Sequence, residues 1–252
     1  MLSLKNISKK FGDSIVLHSL DLEIKKGEII SLLGQSGSGK STILNLIAGF
    51  EEADSGTFVY QGKTLFDTDT FCEPQKRNIG FVFQNYALFP HLSVAKNITF
   101  GISNKPKEYQ KTTLNTLLTL INMQGMESKL PHQLSGGQQQ RVAIARVLAR
   151  QSELILFDEP FSSIDATLKS KLIKEIKDII KSLNKTAIFV THCPKEAILL
   201  SDKIGYIQNG KIIQFDTPAN LFKNPASKTI ADIFAQESFI FKSVQDLIGN
   251  FN

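Results

Sequence analysis

Cysteine is scarce in this 252-residue sequence. The two present, Cys72 and Cys193, exclude a disulfide framework and point to a reducing cytoplasm. No apolar run reaches the roughly 18–20 residues of a bilayer span. The opening MLSLKNISKK lacks a basic stretch followed by an apolar core, so no secretory leader is expected. Internal repeats and low-complexity linkers are missing too, as are aromatic-interleaved basic clusters and the signatures of RNA-binding modules. The formal net charge of +5 is therefore assigned to solvated lysines (Lys25, Lys26, Lys169, Lys171, Lys174, Lys177, Lys181), and no nucleic-acid partner is expected. What is there is ordinary globular composition, with enough apolar residues for one large domain or two modest ones.

Patterning divides the chain. LSLKNISKKFG and SIVLHSLDLEI alternate apolar and polar residues, as half-buried antiparallel strands do. Ile29-Ile30-Ser31-Leu32-Leu33 is nearly continuous and apolar, which predicts a central parallel strand buried on both faces. STILNLIAGF has helical spacing, and SGTFVYQGK returns to strand. Residues of about 85–150 lack strong strand runs, and Leu114, Leu117, Leu118 and Ile121 form a helical stripe, so a mostly helical insertion is expected there. LILFDE and TAIFVTH then read as buried strands flanking an amphipathic helix, ATLKSKLIKEIKDIIKSL. KIGYIQNGKIIQFD reads as a hairpin turning at Asn209-Gly210. After about residue 225 the pattern predicts only a short helix and a fragment of something further.

Two segments carry the first chemistry. GQSGSGKST at 34–42 fits G-x-x-x-x-G-K-[ST], with a buried strand before Gly34 and a helix after Lys40. Gly34, Gln35, Ser36, Gly37, Ser38 and Gly39 would wrap phosphates with their backbone N–H groups, aided by the helix N-terminus. Lys40 would reach the β- and γ-phosphates, Ser41 would hold Mg²⁺, and Thr42 closes the motif. LILFDEP places Asp158 at the end of a strand as a metal-holding carboxylate, with Glu159 next to it to orient water. A nucleoside triphosphate is the expected ligand. LSGGQQQR at 134–141 poses a further question, because its paired glycines also suit phosphate binding although the chain already has a phosphate loop.

The phosphate loop, LSGGQ and FDEP in this order resemble the ATP-binding subunits of ABC transporters over residues of about 2–225. That resemblance implies a P-loop NTPase (RecA-like) α/β core, an N-terminal antiparallel β subdomain and a helical signature subdomain inserted at about 85–150. It implies an ABC ATPase domain over 1–240, with 241–252 a tail that is the start of a truncated regulatory domain. By the same resemblance Phe11 stacks on adenine, though ordinary core packing is the alternative. Gln84 is similar to the glutamine that contacts Mg²⁺ and the membrane subunits, and Asp165 in SSID to the D-loop carboxylate. His192 is similar to the switch histidine on the γ-phosphate; a buried histidine, or a metal ligand beside Cys193, is the alternative. Ser135, Gly136, Gly137 and Gln138 would cover the ATP of a second copy in a head-to-tail dimer. Lys40, Glu159 and His192 are the expected catalytic residues, with Ser41, Gln84 and Asp158 on the metal and ATP and Mg²⁺ as cofactors.

Importer ATPases for ferric iron, polyamines, sulfate, molybdate, thiamine or sugars are the subgroup most resembled, through VFQNYALFPHLSVAKNITFGI, DEPFSSIDA and LSGGQQQRVAIARVLA. GKTLFDTDTFCEPQKRNIG tilts this toward iron. The implied partners are integral membrane permease subunits and, indirectly, an extracytoplasmic substrate-binding protein. The implied location is the cytoplasmic face of the cell membrane. The competing readings are the ATPase of an exporter or lipid-handling complex, and a soluble ABC protein acting on DNA or ribosomes.

Overall fold

The computed structural model describes residues 1–237 except 163 and 165. Two sheets share the work. β1 (Leu2–Phe11), β2 (Ser14–Ile24), β4 (Ser55–Tyr60) and β5 (Lys63–Phe66) form an antiparallel sheet in the order β2-β1-β4-β5. β3 (Ile29–Leu33), β6 (Ile79–Val82), β7 (Leu154–Asp158), β8 (Thr186–Thr191), β9 (Lys203–Gln208) and β10 (Lys211–Asp216) form a second sheet in the order β10-β9-β3-β8-β7-β6. β9, β3, β8, β7 and β6 run parallel, and β10 returns antiparallel beside β9. Its turn has Asn209 at φ 48° and Gly210 at φ 69°, the paired positive angles of a type I′ hairpin.

The continuous apolar runs are explained by the two faces of this parallel sheet. Ile29, Ile155, Phe157, Ala187 and Phe189 point to one side. They pack there with α2 (Val94–Thr99), α3 (Lys107–Leu120), α4 (Gly136–Ala149) and α5 (Ala166–Ser182). Ile30, Leu32, Leu154, Leu156, Ile188 and Val190 point to the other, against α1 (Lys40–Ala48) and the antiparallel sheet. Burial on both faces removes the period-2 signal from the sequence. A third cluster joins Leu33 and Tyr206 to α6 (Pro194–Leu200), α7 (Pro218–Lys223) and α8 (Lys228–Ala235). The short helix expected after residue 225 is α8; residues 238–252, and with them the proposed tail, lie outside the described residues.

The solvated-lysine expectation needs correction at Lys169 and Lys177, which are half-buried, while Lys181 is exposed but paired. Lys169 pairs with Glu196 at 3.0 Å, Lys177 donates to the Leu199 carbonyl at 2.9 Å, and Lys181 bonds both Asp202 (2.6 Å) and the Gly27 carbonyl (3.0 Å). These three lie along one line of α5 and fasten it to α6 and to the entry of β3. The apolar stripe of Leu172, Ile173, Ile176 and Ile180 hid this, because periodicity reports which residues are buried and not what the polar ones beside them reach. Lys171 and Lys174 do face solvent.

Arg77 is buried where α1 ends. Its Nη1 donates to the Leu46 and Ile47 carbonyls, two of the acceptors a helix C-terminus leaves unpaired, and its Nε donates to the Cys72 carbonyl. The guanidinium also lies over the rings of Phe58 and Phe71. Arg77→Ala removes three donors from a buried site, a loss on the order of 3 kcal/mol. Thermal denaturation is expected to show a melting temperature lower by roughly 5–10 °C. Arg77→Lys is expected to recover only part, since an ammonium cannot reproduce the planar fork.

Candidate active site

Strand register builds the site. Leu33 pairs with Thr191, Leu32 with Val190, and Asp158 with Val190, so β3, β8 and β7 end almost level. The residues that follow those ends, Gly34, His192 and Glu159, therefore emerge at one edge of the sheet, where α/β folds bind ligands.

The loop from Gly34 to Gly39 leads into α1. A Cβ on Gly34 would sit 2.3 Å from the Ile207 carbonyl oxygen of β9, so close packing requires glycine there; Gly37, at φ 78°, is glycine for its backbone angle. Lys40 is only 5% exposed. Its ammonium donates to the carbonyls of Gly34 (2.9 Å) and Gln35 (2.7 Å) and lies 3.5 Å from Ser38 Oγ. Ser38 N donates to the Gln35 carbonyl, closing a turn. Thr42 is half-buried on α1. Burial lowers the Lys40 pKa, while the charges of Glu159 and Asp158 hold it up.

Ser41 Oγ donates to Asp158 Oδ1 at 3.0 Å. A hydroxyl and a carboxylate side by side make a hard-oxygen donor pair that fits Mg²⁺. Burial raises the pKa of the Asp158 carboxyl above its ordinary value. The adjacent Glu159 pushes the same way, and the Ser41 hydroxyl and Lys40 pull it back. Glu159 takes φ 43°, in the left-handed region, and its N–H donates to the Val190 carbonyl at 3.0 Å. Its Oε2 is 3.2 Å from His192 Nδ1. A cleft of about 580 Å³ opens here, lined by Gly34, Gln35, Ser36, Glu159 and His192 with Leu33, Pro194, Tyr206 and Ile233.

Gln84 is tied in by a residue the sequence reading did not single out. Gln84 Nε2 donates to Ser162 Oγ at 3.4 Å, and Ser162 Oγ donates to the Glu159 carbonyl at 3.0 Å. The glutamine thus rests on the carboxylate segment, while Ser41 and Asp158 of the expected metal-holding residues are hydrogen-bonded to each other. Beyond Gln84, Tyr86 and Ala87 both take positive φ (62° and 45°), and Arg146 of α4 donates to both their carbonyls. Buried Asn97 then bonds the Phe89 N–H and the carbonyls of Phe89, Leu92 and Ser93, which shapes the loop ahead of α2.

Phe11 stands apart from the cleft at the end of β1, 46% exposed, with the Lys9 ammonium 5.1 Å from its ring centroid. That exposure overturns core packing. His192, with 61% of its side chain exposed, is no buried histidine, and no group of three or more His, Cys, Asp or Glu that could hold a metal is found among the described residues. Asp165 lies outside the described residues.

The signature segment forms a separate groove of about 290 Å³, lined by Ser135, Gly136, Gly137 and Gln138 with Lys171, Leu172 and Glu175 among others. It shares no lining residue with the first cleft. Ser135 caps α4: its Oγ accepts from Gln138 N while Gln138 Oε1 accepts from Ser135 N. Gly136 and Gly137, as the first two helical residues, have N–H groups with no intrahelical acceptor.

A phosphate loop after a central strand, β3, of a parallel sheet, with carboxylates at the end of β7, one strand removed from it, defines a P-loop nucleotide-binding fold. The model of the ABC transporter family matches residues 17–162, and the chain belongs to that family. It is 40% identical to the Fe(3+) ions import ATP-binding protein FbpC of Fusobacterium nucleatum, covering 95% of this chain and 64% of the relative. It is 44% identical to the sulfate/thiosulfate import ATP-binding protein CysA of Synechocystis, covering 89% and 62%. It is 43% identical to the spermidine/putrescine import ATP-binding protein PotA of Thermotoga maritima, covering 96% and 65%. The chain thus spans just under two thirds of the length of these curated relatives. Among solved structures, it resembles the dimeric ATP-binding cassette MJ0796 in a post-hydrolysis state bound to ADP and Pi (34% identity, TM-score 0.73, 86% of this chain and 98% of that one). It also resembles cbiO1 of Clostridium perfringens, part of the ABC transporter complex cbiONQ (27% identity, TM-score 0.80, 89% and 91%).

The raised Asp158 pKa has a stability consequence. The folded state binds a proton here more tightly than the unfolded chain. Stability therefore falls as pH rises from the ordinary carboxylate value through the raised one. In chelator and without nucleotide, Asp158→Asn is expected to melt higher than the unaltered protein at neutral pH, by about 2–4 °C per kcal/mol relieved. The gap is expected to close as pH drops below the ordinary carboxylate range. Melting curves at about pH 3 to 8 check this.

Proposed function

We propose that this chain is the ATP-binding and ATP-hydrolysing subunit of an importer, held peripherally at the cytoplasmic face of the membrane. The observation that carries this is the convergence of Lys40, Ser41, Asp158, Glu159 and His192 at one sheet edge, with Glu159 and His192 3.2 Å apart. In this reading ATP lays adenine on Phe11 and its phosphates in residues 34–42, where the Lys40 ammonium exchanges backbone carbonyls for phosphate oxygens. Ser41 and Asp158 hold Mg²⁺, with Gln84 close by through Ser162; bound there, the ion neutralises developing charge on the phosphate oxygens. Glu159 accepts a hydrogen bond from water and orients it for in-line attack. His192 donates to the γ-phosphate, and Glu159 steadies its ring from Nδ1.

The second phosphate loop is completed between copies. The groove at Ser135–Gln138 has backbone donors free at a helix N-terminus and lies away from its own phosphate cleft, so a second copy bound head to tail brings the two together around ATP. The dimeric state of the MJ0796 cassette supports this. Hydrolysis removes the bridging phosphate and the dimer reopens.

A permease partner is supported by the exposed aromatic rings around Gln84. Phe50 stacks on Phe83 with centroids 5.9 Å apart, Phe81 sits against both, and exposed Phe100 packs on Phe89. Such a patch is costly in water and suits a protein partner. The membership of cbiO1 in a multi-subunit transporter complex agrees, as does the fact that no helix among the described residues is long and apolar enough to cross a membrane. Ferric iron, the expected cargo, is named for one relative; sulfate and polyamine relatives stand beside it at similar identity.

Glu159→Gln is expected to keep ATP binding, lose at least 100-fold in hydrolysis and shift with ATP to a dimer on size exclusion. A variant that hydrolyses normally, or stays monomeric with ATP, refutes the assignment. Phe11→Ala is expected to weaken ATP about ten-fold, near the 1–3 kcal/mol of a base–aromatic stack, with kcat little changed. Titration with a fluorescent ATP analogue checks it.

A further inference from the structure

The ring of His192 is 61% exposed, so packing does not hold it in place. Beside the Glu159 carboxylate 3.2 Å from its Nδ1, its position comes from the backbone of the loop between β8 and α6. That loop is fastened by a chain of bonds below the surface. The Cys193 N–H donates to Thr191 Oγ1 at 3.0 Å, and the same hydroxyl donates to Glu196 Oε2 at 2.6 Å. The other oxygen of that carboxylate, Oε1, accepts from the Lys169 ammonium at 3.0 Å. Glu196 is 4% exposed and Thr191 2%. Lys169 belongs to the start of α5, on a different segment from the histidine loop.

We propose that Glu196 is a positioning residue for hydrolysis: its two carboxylate oxygens lock the His192 loop to α5 at Lys169, so that the histidine holds one geometry relative to that helix. The proposal rests on the ATPase reading above. A buried carboxylate must be paired to be tolerated, and Glu196 takes its compensation from two different segments, which makes its charge a geometric constraint on both. Burial of Thr191 directs its hydroxyl hydrogen to Glu196 and leaves its lone pairs for the Cys193 N–H. The Glu196 carboxylate is therefore what orients Thr191 and, through its hydroxyl, Cys193 on either side of His192. Thr191, Glu196 and Lys169 do not touch the reacting atoms. Its effect is carried through the histidine.

The variant Glu196→Gln keeps an acceptor for the Thr191 hydroxyl and places an amide N–H₂ against the lysine ammonium, a donor against a donor. It is expected to lower kcat for ATP about 10-fold to 100-fold, as small misplacements of catalytic groups do, with KM for ATP within about two-fold. Lys169→Met, whose side chain reaches the surface, is expected to lower kcat similarly, and it carries the test if Glu196→Gln melts below assay temperature. In the double variant the two losses are expected not to multiply, because both remove one linkage. The assay is steady-state hydrolysis by the full chain, with active sites counted by nucleotide titration and folding followed by melting curves. Wild-type kcat per folded site in both single variants, or losses that multiply in the double variant, overturns the proposal while leaving the ATPase reading intact. A lack of hydrolysis by the unaltered chain, with nucleotide bound, overturns both.

Discussion

Lys40 brings a positive charge to a place where one-twentieth of its surface meets solvent, and much of the molecule is arranged to make that tolerable. Burial alone would drive the proton off. Two backbone carbonyls of its own loop accept from the ammonium, and the charges of Asp158 and Glu159 on the next segment oppose the loss. Those carboxylates are in range only because β7 ends level with β8 and β3. A one-residue slip in either pairing would turn the alternating core residues to the wrong face and withdraw the compensating charge together. Core packing and site electrostatics thus select the same register.

Helix α4 joins two regions that the sequence treats as separate. At its first turn stands the capping box of Ser135 and Gln138; in its last turn Arg146 holds the carbonyls of Tyr86 and Ala87, just beyond Gln84. Fourteen helical residues at 1.5 Å each make a strut about 20 Å long. The exposed aromatic surface proposed to meet a permease and the groove proposed to meet a second copy are therefore opposite ends of one rigid piece. Along the other side, Gln84 reaches Glu159 through Ser162.

Much of this was legible in the sequence, for identifiable reasons. The phosphate loop announces itself because its chemistry demands particular residues at fixed spacing, and strands β3, β7 and β8 announce themselves because burial on both faces leaves them almost entirely apolar. The turn at Asn209-Gly210 was readable because few residues accept its backbone angles. The linkages were not readable. Ser162 lies 78 residues from Gln84, and Glu196 lies 27 from Lys169; no local pattern records which polar side chain meets which across such distances. Lys169 and Lys177 of α5 were misread for that reason, since both are half-buried and reach structural acceptors on α6. Phe11 was ambiguous because an aromatic residue at a strand end serves a core or a ligand equally well until its exposure is known.

The left-handed backbone at Glu159 also limits what natural variation can do there. At φ 43° any side chain is crowded against its own backbone, least for glycine, asparagine and aspartate, and branching at Cβ adds strain. Position 159 is thus screened on two independent grounds, by what the chemistry needs and by what the chain direction permits. Lineages that abandoned hydrolysis while keeping this fold would drift there toward glutamine, asparagine, aspartate or glycine and away from valine, isoleucine or threonine. The residue found at such a position would then record how the chain bends as much as what the site once did.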